Sequence, residues 1–188
     1  MDSTALVALR RPIDALFIDY GQRSAEGERV AALEVGRELG VNVHNLRIDC
    51  SSVGAGLLAG DKRPPYAPSP EWWPYRNQLL VTLAASWGLP RGFQTIVVGS
   101  VRTDGDRHVD GTPRFYESLN RLLSMQEGGM EITAPALGST TAELVTQSGI
   151  TDQVLIMTHS CDVSPIGCGF CPSCDKRRAT LEELGRLQ

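Results

Sequence analysis

The chain has 188 residues, a length that favours one domain with its own hydrophobic core. Its hydrophobic share of 41% is that of a globular protein, and no apolar run approaches the about 20 residues of a membrane helix. Its formal charge of −4 lacks the basic excess that supplies most non-specific nucleic-acid affinity. A membrane-spanning protein and a dedicated nucleic-acid binder are therefore not expected.

The N-terminus, Met1-Asp2-Ser3-Thr4, stands directly before a helical segment. It lacks the basic region and the apolar length of a signal peptide, so we expect a cytoplasmic protein. Asp and Ser at a helix start place hydroxyl groups beside free backbone amides, where phosphate is attracted. Because an α/β domain normally opens with a strand, we expect a further segment upstream.

The first half of the chain predicts a strand, a helix, a strand and a long loop. Residues 14–19 form an apolar run ended by Tyr20-Gly21, typical of a buried strand and its turn. A helix follows Ser24 and ends at Gly40, and a second strand covers 41–48. Five prolines between positions 60 and 74 predict a loop, because proline fixes φ and lacks an amide proton.

The second half continues the alternation of helices and strands. The patterns first predict a helix over 76–87 stopped by Gly88, a strand over 94–99 and a loop over 100–111. A helix then begins at Thr112-Pro113, followed by a strand over 131–134 and a helix from the capping box at 140–143 to Gly149. The last predicted elements are a strand over 153–158 and a C-terminal helix marked by Leu181, Leu184 and Leu187. Such alternation favours a parallel sheet covered on both faces, with ligands near the carboxyl ends of its strands.

Four of the five cysteines form a cluster with the spacing C-x6-C-x2-C-x2-C, at Cys161, Cys168, Cys171 and Cys174. In a reducing compartment this pattern indicates a metal site, and four thiolates complete the tetrahedral shell of a structural zinc ion. An iron–sulfur cluster is the alternative, but in ferredoxin runs a further cysteine follows after three residues and precedes proline, whereas Asp175-Lys176-Arg177 follows Cys174 here. Cys50 stands alone at a strand end and is expected to be a small buried hydrophobe.

Several segments, taken together, carry a family resemblance. They are Phe17 to Arg23 (Phe-Ile-Asp-Tyr-Gly-Gln-Arg), Pro74-Tyr75-Arg76-Asn77, Asp104 with Asp110, Pro113 and Phe115, Thr158-His159-Ser160-Cys161, and the remaining three clustered cysteines. In this order they resemble the 7-cyano-7-deazaguanine synthase (QueC) family of N-type ATP pyrophosphatases. The resemblance implies an α/β fold with a Rossmann-like parallel sheet, of the adenine nucleotide alpha hydrolase-like type. It also implies one ATP-pyrophosphatase-like domain over 1–188, with a C-terminal zinc-binding segment at 161–174.

The family reaction implies the partners and cofactors. It takes 7-carboxy-7-deazaguanine, ammonia and ATP to the nitrile in queuosine biosynthesis, with Mg²⁺ on the triphosphate and Zn²⁺ on the four cysteines. ATP adenylates the carboxylate, ammonia forms the amide, and a second activation permits dehydration to the nitrile. We also expect a homodimer, while the apolar runs and the net charge argue against membrane and nucleic-acid partners.

The resemblance assigns roles residue by residue. Catalytic roles fall on Asp2, Ser3, Arg76 and Asn77; nucleotide binding on Ser3, Thr4, Asp19, Tyr20, Gly21, Gln22 and Gly99; substrate binding on Asp104, Asp110 and Phe115; and metal binding on Cys161, Cys168, Cys171 and Cys174. Ionised carboxylates only accept hydrogen bonds, which suits the amino and ring N–H groups of a guanine-like ligand. The residues alone also permit a helix cap and surface ion pair at 76–77, and solvated loop acids at Asp104 and Asp110.

The chain departs from the family pattern at four places, one of which is the first cysteine gap, between Cys161 and Cys168, which is one residue shorter than usual. The family's phosphate loop has the form Ser-Gly-Gly-x-Asp-Ser, and neither its Ser-Gly-Gly nor the strand before it has a counterpart in this chain. Met1-Asp2-Ser3 fits the end of that motif, with Met1 at its variable position. We therefore expect the natural start to lie upstream, in preference to a truncated form. Thr141 stands where the family has lysine, and Gly111 where it has cysteine. The alternatives are therefore a ligase that joins a deazapurine acid to another amine, as in antiviral operons, and a zinc-stabilised deazapurine-binding protein without catalysis.

Overall fold

The computed structural model describes residues 1–186. In this range the chain forms, in order, α1 (Asp2–Arg10), β1 (Asp14–Asp19), α2 (Ala25–Leu39), β2 (Asn42–Arg47), α3 (Gly56–Ala59), α4 (Arg76–Gly88), β3 (Thr95–Val97), α5 (Arg102–Gly105), α6 (Pro113–Ser124), β4 (Glu131–Thr133), α7 (Thr141–Ser148), α8 (Asp152–Met157) and α9 (Pro172–Glu183). Three short 3₁₀ turns lie at Ser51–Val53, Leu89–Arg91 and Val109–Gly111. The mixed α/β class is therefore as expected.

The described chain divides into two compact units. The first contains Met1, residues 3–74 and the segment from Thr141 onward, and the second contains Asp2 and residues 75–140. Each unit has its own pair of parallel strands, β1 with β2 and β3 with β4. Parallel pairing is confirmed, in two small sheets. That the whole chain acts as one domain stays a prediction.

The first unit is built on β1, β2 and the helix between them. β1 and β2 pair in register from Asp14 opposite Asn42 to Asp19 opposite Arg47. Helix α2 follows Ser24 and ends at Gly40, which adopts the left-handed conformation, as predicted. The unit buries apolar residues from several elements, namely Ala5, Leu6, Val35, Val41, Leu144, Val145, Val154 and Leu155. Their burial supplies the main driving force for its folding.

The second unit packs α4 and α6 around β3 and β4. Its core consists of Val81, Tyr116, Leu119, Leu123 and Ile132. Helix α6 begins as predicted, because Thr112 Oγ1 accepts a hydrogen bond from the Phe115 amide at 3.3 Å and Pro113 occupies the first turn. The Asn120 side chain joins α6 to β4, since its Oδ1 accepts from the Ile132 amide at 2.7 Å.

The strand predicted over 153–158 is wrong, because α8 occupies Asp152–Met157. Thr151 caps this helix by accepting a hydrogen bond from the Val154 amide at 3.3 Å. Val154 and Leu155 are buried, whereas Ile156 is 78% exposed. One-sided burial of a short apolar run suits a helix as well as a strand, and here the cap favours the helix.

Smaller differences concern element lengths. β3 and β4 are shorter than the strands predicted over 94–99 and 131–134, and the predicted loop over 100–111 contains α5 and a 3₁₀ turn. The C-terminal helix, α9, starts at Pro172 inside the cysteine cluster, earlier than its leucines indicated. Leu187, one of the predicted marker residues, lies outside the described residues. No helix in the described range is both long enough and apolar enough to span a bilayer.

Candidate functional site

The first turn of α1 carries Ser3 and Thr4, which line a cavity of about 320 Å³. The cavity is lined further by Phe17 of β1, by Glu28 of α2 and by other residues of these elements. Ser3 is exposed, and the N-cap residue Met1 makes no side-chain cap. The first amides of a helix have no partner within the helix, so this turn is suited to an anion.

The segment after β1 forms a tight turn. Gly21 has φ 96°, a conformation that favours glycine, and its amide donates to Asp19 Oδ1 at 3.0 Å. Gln22 is buried, its Oε1 accepts from the Tyr20 amide at 2.9 Å, and Tyr20 packs edge-on against Trp73 with ring centroids 4.9 Å apart. The four consecutive residues Asp19 to Gln22, which are among those predicted to bind the nucleotide, thus form one tight turn in which these contacts also have a structural role.

Glu28 is a site residue that the sequence reasoning missed. Its two carboxylate oxygens accept from Gln22 Nε2 at 2.8 Å and from Ser24 Oγ at 2.7 Å, and it also lines the cavity. The only sequence signal was an acidic residue in the first turn of α2, which is common because of the helix dipole. The contact makes the turn after β1 and the start of α2 one polar network.

The segment between α8 and the cysteines adds Thr158 and His159 to the cavity wall. His159 Nε2 is buried without a hydrogen-bond partner in the described part of the chain. The Arg177 guanidinium donates to Thr158 Oγ1 and, at 2.8 Å, to the Leu155 carbonyl oxygen. Burial lowers the pKa of Arg177, and the two oxygens accept hydrogen bonds from its guanidinium group.

Thr141, at the start of α7, is only 3% exposed. Its Oγ1 is buried and makes no hydrogen bond within residues 1–186. A buried hydroxyl without a partner costs free energy, so this position either receives a ligand atom or is a tolerated defect.

In the second unit, the start of α4 contacts the 3₁₀ turn Val109–Gly111. The side-chain Nδ2 of Asn77 donates to the Asp110 backbone carbonyl oxygen at 2.9 Å, and the Asn77 backbone amide donates to Asp110 Oδ2 at 3.4 Å. Arg76 Nε donates to Asn77 Oδ1 at 3.4 Å. Asp110 is thereby brought to the neighbouring predicted site residues Arg76 and Asn77, although it lies 33 residues beyond Asn77 in the chain.

Asp104 lies in α5 and has a structural contact. Its Oδ2 accepts from the Val101 amide at 3.1 Å, which caps the short helix. Gly111 presses against this helix, since a Cβ at position 111 would lie 2.9 Å from the Asp104 carbonyl carbon. The close approach excludes a side chain at Gly111 unless the backbone moves.

Tyr116 and Ser100 are buried polar residues that the sequence reasoning did not single out. Their hydroxyl oxygens lie 2.6 Å apart. Burial raises the pKa of the Tyr116 phenol, and the carboxylates of Asp110 and Asp104 raise this pKa further. The predicted substrate residue Phe115 packs edge-on against Tyr116, and the predicted nucleotide residue Gly99 directly precedes Ser100.

The four clustered cysteines converge in the first unit. Their Sγ atoms all lie within 4.8 Å of one another, with Cys168 and Cys174 at 3.8 Å and Cys161 and Cys171 at 4.0 Å. A tetrahedron with Zn–S bonds of about 2.3 Å has S–S edges of about 3.8 Å. The geometry therefore fits one metal ion. An iron–sulfur cluster, in which the thiolates bind different irons, requires wider spacing.

Neighbouring groups contact the four-cysteine cluster in the way that suits metal ligands. The Asp162 amide donates to Cys171 Sγ at 3.4 Å, and the Asp162 carboxylate accepts from the Ser173 hydroxyl at 2.8 Å. A backbone hydrogen bond from Phe170 lowers the pKa of the Cys168 thiol to about 7, whereas burial raises that of Cys171. Amide bonds to the sulfurs and a buried carboxylate behind them are typical outer contacts of metal ligands.

Known proteins match this chain over nearly its full length. The family model described as queuosine biosynthesis protein QueC matches residues 1–185. A 7-cyano-7-deazaguanine synthase of Nitrosospira multiformis is 29% identical, with 97% of this chain and 87% of the relative covered. The Methanothermobacter thermautotrophicus protein of the same name is 28% identical, with 98% and 91% covered. The described α/β architecture, the cysteine centre and these matches agree, and the chain belongs to the QueC family of queuosine biosynthesis proteins.

Proposed function

We propose that this protein is an ATP-dependent carbon–nitrogen ligase that converts 7-carboxy-7-deazaguanine and ammonia to 7-cyano-7-deazaguanine. The family match over residues 1–185 carries the proposal, because its relatives bear the name of that synthase. The reaction needs activation of a carboxylate, which is a poor electrophile. The carboxylate would displace pyrophosphate from ATP to form an adenylate, from which ammonia would displace AMP, and Mg²⁺ would neutralise charge on the ATP phosphates.

In this proposal the first unit binds the nucleotide. The exposed Ser3 hydroxyl and the first turn of α1, whose helix dipole favours an anion, would bind phosphate, with Asp2 and Thr4 beside them. The turn formed by Asp19, Tyr20, Gly21 and Gln22 would bind the ribose and base side. The protein's contribution is mainly positioning and electrostatic stabilisation.

The second unit would bind the acid. Asp110 would accept hydrogen bonds from the amino and ring N–H groups of the guanine-like ring, and Arg76 would neutralise the ligand carboxylate. Phe115 would cover apolar ring surface. Zn²⁺ would be held by Cys161, Cys168, Cys171 and Cys174 as a structural ion, since four thiolates leave no open position.

The decisive experiment incubates the full chain with 7-carboxy-7-deazaguanine, ammonium and Mg-ATP. We expect AMP and the nitrile, identified by mass spectrometry. The Ser3→Ala variant should raise the KM for ATP about tenfold or more, because a hydrogen bond to a charged phosphate is lost. Ser118→Ala is the matched control, since the exposed Ser118 hydroxyl donates to the Arg114 carbonyl oxygen at 2.9 Å within its own helix. Unchanged ATP in the presence of the acid and ammonium contradicts the proposal.

A second candidate is a ligase that couples the deazapurine acid to another amine. The departures at Thr141 and Gly111 favour it, because Thr141 places a buried hydroxyl where a lysine is usual and Gly111 has no room for a side chain. Consumption of ATP with amines but not with ammonium, and a stable amide product, would identify this reaction. Binding of the deazapurine without ATP turnover would instead indicate a binding protein. Light scattering tests the proposed homodimer.

A further inference from the structure

Helix α4 begins without a local side-chain cap. Its N-cap residue, Tyr75, adopts a left-handed backbone conformation with φ 55° and makes no side-chain cap bond. The carboxylate of Asp110, 33 residues beyond Asn77, takes that place, since Asp110 Oδ2 accepts from the Asn77 backbone amide at 3.4 Å. A carboxylate at a helix N-terminus is favoured by the free amides and by the helix dipole.

The Asn77 side chain makes a second contact with Asp110, which lies in the 3₁₀ turn Val109–Gly111. Its Nδ2 donates to the Asp110 carbonyl oxygen at 2.9 Å, so Asn77 holds both the backbone and the carboxylate of Asp110. The Arg76 guanidinium in turn donates to Asn77 Oδ1 at 3.4 Å, which orients the amide group. With this orientation the donating end of the amide faces Asp110.

Gly111 limits the freedom of the turn from the other side. Its position against α5 leaves no room for a Cβ, which would lie 2.9 Å from the Asp104 carbonyl carbon and 3.0 Å from the Gly105 nitrogen. The turn is closed by the Gly111 amide, which donates to the His108 carbonyl oxygen at 3.0 Å. Asp110 is thus held between α4 and α5 and is only partly exposed.

We propose that Asn77 is a positioning residue, which holds the Asp110 carboxylate in one orientation toward a planar heterocyclic ligand carrying N–H donors. The inference rests on the proposed function and changes the role expected for Asn77. It acts through Asp110 and does not itself contact the reacting atoms. A carboxylate that is already ordered in the free protein binds such a ligand more tightly, because the entropy of ordering its side chain is lost on folding and not on binding.

The test compares steady-state kinetics of the full-length wild type, Asn77→Ala and Asn77→Asp. Asn77→Ala should raise the KM for the deazapurine acid about tenfold, the effect of losing about one neutral hydrogen bond, and leave kcat and the KM for ATP unchanged. Asn77→Asp should raise that KM further, because it cannot donate to the Asp110 carbonyl and places a second negative charge beside the carboxylate. Asn77→Ser retains a hydroxyl donor and keeps the test available if the alanine variant does not fold.

The matched control is Asn120→Ala. Asn120 also bonds across the second unit, but to the Ile132 amide in β4. The Asn120→Ala variant should have a lower melting temperature than the wild type but the same KM for the acid. An Asn77→Ala variant that forms nitrile with the wild-type KM, or whose KM rises no more than that of Asn120→Ala, overturns the positioning role alone. A wild-type chain that forms no nitrile overturns the proposed function instead.

Discussion

Nε2 of His44 lies 2.7 Å from Asp14 Oδ1, and the pair joins the first residue of β1 to the third residue of β2. Asn42 Nδ2 donates to the same carboxylate oxygen at 2.9 Å. These hydrogen bonds, that of His44 first, hold the pKa of Asp14 below its ordinary value of 3.8. The N-terminal ends of the two strands are therefore joined by a side-chain network.

This pKa shift gives stability a pH dependence with a definite sign. Because the folded pKa of Asp14 is depressed, its contribution is present above the unfolded value of 3.8 and is lost as pH falls through the folded value. Urea unfolding of wild type and Asp14→Asn should therefore differ more at about pH 6 than at about pH 2. The same difference at both pH values would contradict the assignment.

Removal of a clustered cysteine should remove the metal. Cys171→Ser replaces a buried ligand, so we expect zinc, measured by atomic absorption, to fall from about one ion per chain to near zero. The free energy of unfolding should fall by several kcal/mol, because structural zinc binding is coupled to folding. Cys50→Ser is the control, since Cys50 lies outside the cluster and should retain the ion. Full zinc content in Cys171→Ser would refute the four-cysteine site.

The two predicted substrate carboxylates should behave differently. Asp110→Asn should raise the KM for the deazapurine acid about tenfold or more, because a charged acceptor is lost. Asp104→Ala should cost about 1 kcal/mol of stability, because Asp104 caps α5. Kinetics and chemical denaturation of both variants separate the two effects. A larger effect of Asp104→Ala than of Asp110→Asn on that KM would reverse the assignment.

Thr141→Val should stabilise the protein. The variant keeps the shape of the side chain and removes a buried hydroxyl without a partner, so the free energy of unfolding should rise by about 1 kcal/mol. Thr146→Val is the control within the same helix, since Thr146 Oγ1 donates to the Ala142 carbonyl oxygen at 2.9 Å and should give no such gain. A destabilised Thr141→Val would show that the hydroxyl has a partner in solution.

Patterns within short segments predicted much of the fold. The strand over 14–19, the helix from Ser24 to Gly40 and the cap at Thr112 are local features, and each was confirmed. The strand predicted over 153–158 was wrong, because a short apolar run is compatible with both kinds of element.

The sequence by itself determined the four-cysteine cluster that could hold a metal ion, because the spacing of Cys161, Cys168, Cys171 and Cys174 already limits how four thiolates can meet. Only the tertiary structure decided that Asn77 holds Asp110 and that Glu28 joins Gln22 to Ser24. Asn77 and Asp110 are far apart in the chain, and no local sequence pattern shows which distant group will accept hydrogen bonds from the first backbone amides of a helix. That choice depends on the packing of whole elements, which places the partners within hydrogen-bonding distance.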